Sequence, residues 1–121
     1  MEKEFVPYEI ALRIKELGYN ERNIYHYANG ILQEGITYNS DDEHRDYESI
    51  SAPLYQQAFK WFREEYRLDG KPEYFLNDWY CFIINDMKGK DNSRRLFTEF
   101  PSYEEAELEC LKNLIEIVKT K

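Results

Sequence analysis

The chain has 121 residues, is 17% aromatic with 11 Tyr and 7 Phe, and carries 24 acids against 16 Lys and Arg, a net charge of -8. That aromatic area supports one ordered core and excludes a disordered chain, while the acidic balance argues against nucleic acid, whose affinity comes from Lys and Arg on phosphates. No apolar run nears the roughly 20 residues that span a bilayer, so no membrane is expected either.

The opening "MEKEFVPYE" has no basic start followed by an apolar run, so a cytoplasmic protein is expected. From there "VPYEIALRIKELG" (6–18) predicts a helix. Tyr8, Ala11, Leu12, Lys15 and Leu17 set its period, Ile10 and Ile14 widen the apolar stripe, Pro7 suits the first turn, and Gly18 the residue past the end. Two strands follow, Ile24–Ala28 and Gly35–Asn39, with Asn29-Gly30 in a six-residue loop between them. His26 lies in the first of these, between Tyr25 and Tyr27, and reads as a sheet residue rather than a general base.

Residues from about 39 to 50 form an acidic connector. "NSDDEHRDYES" (39–49) holds five acids and one Arg. His44 among Asp41, Asp42, Glu43 and Asp46 suggests a metal cluster, but the alternating acids, central Gly and twelfth-place Glu of a calcium loop are absent. No metal and no cofactor is expected.

"SAPLYQQAFKWFREEY" (51–66) predicts the second helix, with Ser51 as N-cap and Pro53 in the first turn. Leu54, Ala58, Phe59, Phe62 and Tyr66 are assigned to its core stripe, which leaves Tyr55 and Trp61 projecting off it. Asp69-Gly70 ends the helix. "PEYFL" (72–76) and "WYCFIIND" (79–86), joined by Asn77-Asp78, predict a β-hairpin, and the second run is apolar on both faces, as central strands are. "LFTEF" (96–100) adds a strand that Pro101 closes. Ser102 and Glu105 form a capping box for a last helix reaching about Lys119. Its inward stripe is Ala106, Cys110, Leu111, Leu114, Ile115 and Val118, with Leu108 and Ile117 off it. Self-association through exposed apolar residues such as Ile117 is compatible with the pattern, so the chain is expected to be a monomer or a homodimer.

The fold expected is therefore α+β, one domain over 1–121 with three helices packed on an antiparallel sheet of four or five strands. "VPYEIALRIKELGY" and "APLYQQAFKWFREEY" rhyme, and each precedes two strand-like runs. That suggests a duplicated helix–strand–strand unit closed by a C-terminal helix, although two amphipathic helices also look alike by patterning alone.

Taken together, "SAPLYQQAFKWFREEY", "YCFIIND", "SYEEAELECLKNLIEIVK" and "VPYEIALRIKELGY" resemble a family of small proteins from gut Bacteroidales genomes and their phages and prophages. That family has no assigned activity, so no residue inherits a role. The resemblance implies an accessory, phage-derived protein that acts on a host or phage protein.

No catalytic set stands out. Cys81 lies in an apolar strand and Cys110 on a core stripe, where burial makes a thiol inert. Tyr25, Tyr27, Tyr74 and Tyr80 exceed what three helices can cover, and with Tyr55 and Trp61 they are the candidate partner-binding residues. A non-catalytic interaction protein is the first expectation. The alternative is a small-molecule or nucleotide-binding protein that stacks a base on aromatics and meets its phosphate with Lys88, Lys90, Arg94 and Arg95, the one basic patch.

Overall fold

A computed structural model describes residues 4–21, 23–37, 49–88 and 94–120, with 36, 37 and 94–97 described by their backbone alone. Among the described residues the fold is α+β, with three helices and six strands in two antiparallel three-stranded sheets rather than one sheet of four or five. The chain divides into two compact units, 1–55 and 56–121.

In the first unit α1 (Tyr8–Glu16) is followed by β1 (Asn23–Ala28), β2 (Ile31–Thr37) and β3 (Ser49–Ser51), in the sheet order β2-β1-β3. Helix α1 buries Ile10, Ala11 and Ile14, so the residues expected to widen its stripe are its core, while Tyr8, Leu12, Lys15 and Leu17 are half-buried. Pro7 stands just before the first helical residue, and its carbonyl accepts the first intrahelical bond from Ala11. The far end is a Schellman turn: the Gly18 N–H donates to Lys15, the Tyr19 N–H donates to Ile14, and Gly18 takes the positive φ of +105° that a side chain would resist. Buried Tyr19 then donates to Asn23 Oδ1 at 3.2 Å, and burial pushes its phenol up to about 12.

Asn29 and Gly30 both have positive φ and pair Ala28 directly with Ile31, so the connection is a two-residue turn and β2 begins four residues earlier than expected. Strand β3 is paired with β1 through Ile50 opposite Tyr27, which turns the end of the expected connector into sheet. Ser51, expected as the second helix's N-cap, belongs to this strand. Residues 4–7 lie along 53–54: Phe5 bridges Leu54, and the Val6 N–H donates to the Pro53 carbonyl at 2.9 Å.

The second unit is α2 (Tyr55–Tyr66), β4 (Leu68–Leu76), β5 (Trp79–Asp86), β6 (Arg94–Phe100) and α3 (Tyr103–Lys119), its sheet running β4-β5-β6. Helix α2 ends because Arg67 turns left-handed at φ +57°. Asp69 and Gly70, expected to end it, lie inside β4. Gly70 has a packing reason: a Cβ there would stand 2.9 Å from Leu114 Cδ1 and 3.0 Å from Cys110 Sγ, so α3 lies directly on the strand. Central β5 buries Cys81, Phe82, Ile83 and Ile84, as its two-faced apolar pattern requires. Asn77 and Asp78, both at positive φ, make the tight β4–β5 turn.

Helix α3 is capped as its sequence predicts, with Ser102 Oγ accepting from the Glu105 N–H at 3.1 Å. It buries Ala106, Cys110, Leu111, Leu114, Ile115 and Ile117. Ile117 is therefore core, which corrects its assignment as an exposed association residue, and Val118 is the half-buried one.

Candidate interaction surface

Six aromatic residues were singled out from the sequence, and the structure divides them. Tyr55 and Trp61 are interior, at 7% and 6% exposure, which corrects their placement off the core stripe of α2. The Trp61 ring packs edge-on against Phe62 and Tyr66 at 5.1 and 5.4 Å. Leu54, assigned to that stripe, precedes the helix and is half-buried.

Tyr25 and Tyr27 hold the first unit together. The Tyr25 ring lies 4.8 Å from Phe5, and the Tyr27 ring meets Tyr8 edge-on at 5.6 Å. Buried Tyr27 also donates its hydroxyl to the Val6 carbonyl at 2.8 Å. Between them His26 is buried, with Nδ1 3.2 Å from the Gly35 carbonyl oxygen, and a Cβ on Gly35 would stand 3.0 Å from its ring. These residues pin the N-terminal segment and β2 onto β1.

Tyr74 and Tyr80 have a different setting. They face each other across the β4–β5 ladder with rings 5.7 Å apart and 84° inclined, and Tyr80 meets Tyr103, the first residue of α3, at 6.1 Å and 86°. The hairpin tip beside them is apolar and open to solvent: Tyr74 is 59% exposed, Phe75 41%, Leu76 45% and Trp79 42%, with Tyr103 at 43%. Isolated exposed apolar residues are ordinary, whereas a run joined by ring contacts at one end of a sheet is not.

Two β-bulges build this end. The β4–β5 register shifts between Tyr74 and Leu76, leaving Phe75 as the extra residue, and the β5–β6 register shifts between Tyr80 and Phe82. Glu99, at φ +74°, lies in the second. Bulges bend a strand and re-aim its side chains, and both flank Tyr80. Phe82 stacks on Phe100 at 5.4 Å beneath. Phe75, Leu76, Trp79 and Tyr103 were missed in the sequence. In the sequence Phe75 and Leu76 lie within a strand pattern, Trp79 in a run whose pattern predicts cover on both faces, and Tyr103 inside a helix cap, so none is marked there as exposed.

The basic patch is only partly in view. Lys88 is exposed, with its backbone N–H donating to Asp86 Oδ1 at 3.0 Å. Lys90 and the side chains of Arg94 and Arg95 lie outside the described residues, as do His44 and the acids around it. Burial raises both thiols: Cys81 is further raised by Glu73 across the ladder, and Cys110 by Asp69 and Glu107. Among the described residues no group of three His, Cys, Asp or Glu is placed to hold a metal ion, and no helix is long and apolar enough to cross a membrane. No family model matches the chain, and neither a curated protein nor a solved structure matches it.

Proposed function

We propose that this chain is a non-catalytic binding protein that docks another protein through the end of its second sheet. The observation that carries the reading is the shelf of exposed Tyr74, Phe75, Leu76, Trp79 and Tyr103 with half-buried Tyr80 between Tyr74 and Tyr103. Tyr and Trp are the side chains that interfaces favour, because each brings large, stiff contact area with a polar tip. Leaving so many of them in water has a cost that a bound partner would offset.

The reading is tested by affinity capture with the wild-type chain, a Tyr74→Ala/Trp79→Ala variant, and an Ile24→Ala control that removes an exposed apolar side chain from the other unit. A docking shelf loses its partner in the first variant and keeps it in the control. A partner recovered equally by all three would sink the proposal. Ile24→Ala is expected to stay within about 0.5 kcal/mol of wild type in stability. Tyr74→Ala/Trp79→Ala gives up the ring contact with Tyr80 and is expected to lose about 1–2 kcal/mol, so its fold is checked by circular dichroism before capture.

A further inference from the structure

The shelf stands inside an acidic frame. The two stretches that fold together around it, 72–82 and 98–108, contain Glu73, Asp78, Glu99, Glu104, Glu105 and Glu107 and no Lys or Arg. Register and ring contact join them: Tyr74 lies opposite Tyr80, Tyr80 opposite Phe100, and Tyr80 against Tyr103. The unit as a whole is nearly balanced, with 13 acids and 11 bases over 56–121. Six of those acids and none of the bases fall in these two stretches. Lys71 bridges Glu73 at 3.7 Å, and among the described residues the other five carboxylates take part in no ion pair. Glu104 and Glu105 also suit the first turn of α3, where the helix dipole favours acids. Asp78 suits its positive-φ turn, and Glu73 pairs with Lys71 and lies opposite Cys81, on the other face of the ladder from Tyr74 and Tyr80. Glu99, in the bulge beside Tyr80, has no such reason to be there.

We propose that the shelf selects a cationic partner, a protein segment that lays Arg or Lys side chains over Tyr74, Tyr80 and Tyr103 and pairs them with the surrounding carboxylates. This rests on the shelf being a docking surface and adds the chemistry of what docks. Tyrosine faces attract guanidinium and ammonium groups, and the carboxylates supply charge-assisted hydrogen bonds to the same groups. A neutral or acidic segment would strip water from those carboxylates and return nothing. A second copy of this chain meeting the same face would set one acidic frame against another, so self-association is not the use this surface fits.

The test selects a random peptide display library against the wild-type chain and discards peptides that also bind Tyr74→Ala/Trp79→Ala. The survivors are synthesised and titrated by fluorescence anisotropy. They are expected to combine Arg or Lys with apolar residues. Their affinity should fall roughly threefold to tenfold between about 50 and about 300 mM salt, and by a similar factor in Asp78→Asn/Glu104→Gln. Shelf-dependent peptides that are neutral or acidic, or whose binding ignores salt and the charge variant, overturn the cationic assignment and leave the docking shelf standing. A selection that yields no peptide able to tell wild type from the aromatic variant overturns both.

Discussion

At residue scale, Glu107 is where burial acts against charge. Its carboxyl is pushed up to about 7, first by burial on α3 and second by the neighbouring Glu104. A folded-state value above the unfolded one means the protonated form is the better tolerated. The favourable state is therefore complete at low pH, and stability is lost as pH rises through 7. Glu107→Gln removes that loss: melting temperatures of variant and wild type should coincide near about pH 5 and separate in favour of the variant near about pH 8. A constant difference across that range would show that ionisation of Glu107 is not felt by the fold. Tyr55 carries a different lesson. With Phe59, Phe62 and Tyr66 it runs i, i+4, i+7, i+11, which is a single stripe. It was legible in the spacing once Leu54 is left out of the helix, and Leu54 leaves it because it bridges Phe5.

At the scale of elements, the close approach of α3 to β4 decides what Gly70 does. Asp-Gly reads as a stop because glycine is a common helix terminator, yet here it is the residue that lets Leu114 and Cys110 reach the strand. Both neighbours are fully buried and have little room to yield. Gly70→Ala is expected to destabilise the chain by about 1–3 kcal/mol through overpacking, read as a lower urea midpoint with an unchanged slope. An unchanged midpoint would mean that α3 shifts freely on its sheet. The two hairpins carry the same turn signal. Asn77-Asp78 closes the expected tight turn, and Asn29-Gly30 closes one too, with residues 31–34 paired in β2 rather than in the expected six-residue loop. An edge strand needs only one apolar face, and β2 lies at the edge of its sheet. Strand β3 was hidden because three residues carry no period, and only pairing with β1 makes them a strand.

At the scale of the molecule, each unit offers a helix followed by three strands, which keeps the rhyme between "VPYEIALRIKELGY" and "APLYQQAFKWFREEY". The connections differ, since the first sheet runs β2-β1-β3 and the second is the meander β4-β5-β6. The halves share an order of elements and not a topology. The charge is also unequal: residues 1–55 hold 11 acids against 5 bases, and 56–121 hold 13 against 11, which together give the net of -8. The ion pairs of the described residues lie on the surface and contribute little each. Self-repulsion should therefore dominate the salt response, and the melting temperature is expected to rise between about 20 and about 200 mM NaCl as it is screened. A fall over that range would mean that attractive pairs outweigh the net charge.

The sequence by itself determined the α+β class, the three helices, the Ser102 cap, the Asn77-Asp78 turn and the covered middle of strand β5, Cys81 to Ile84. Each is written in neighbouring residues through period, cap or turn chemistry. Only the tertiary structure decided that there are two sheets rather than one, that Tyr55, Trp61 and Ile117 are interior, and that Tyr74, Tyr80 and Tyr103 meet at one open end. Those outcomes depend on which elements cover which faces. Burial of an aromatic residue is a property of its neighbours in space, and an alternating or helical pattern names a face without naming what lies against it.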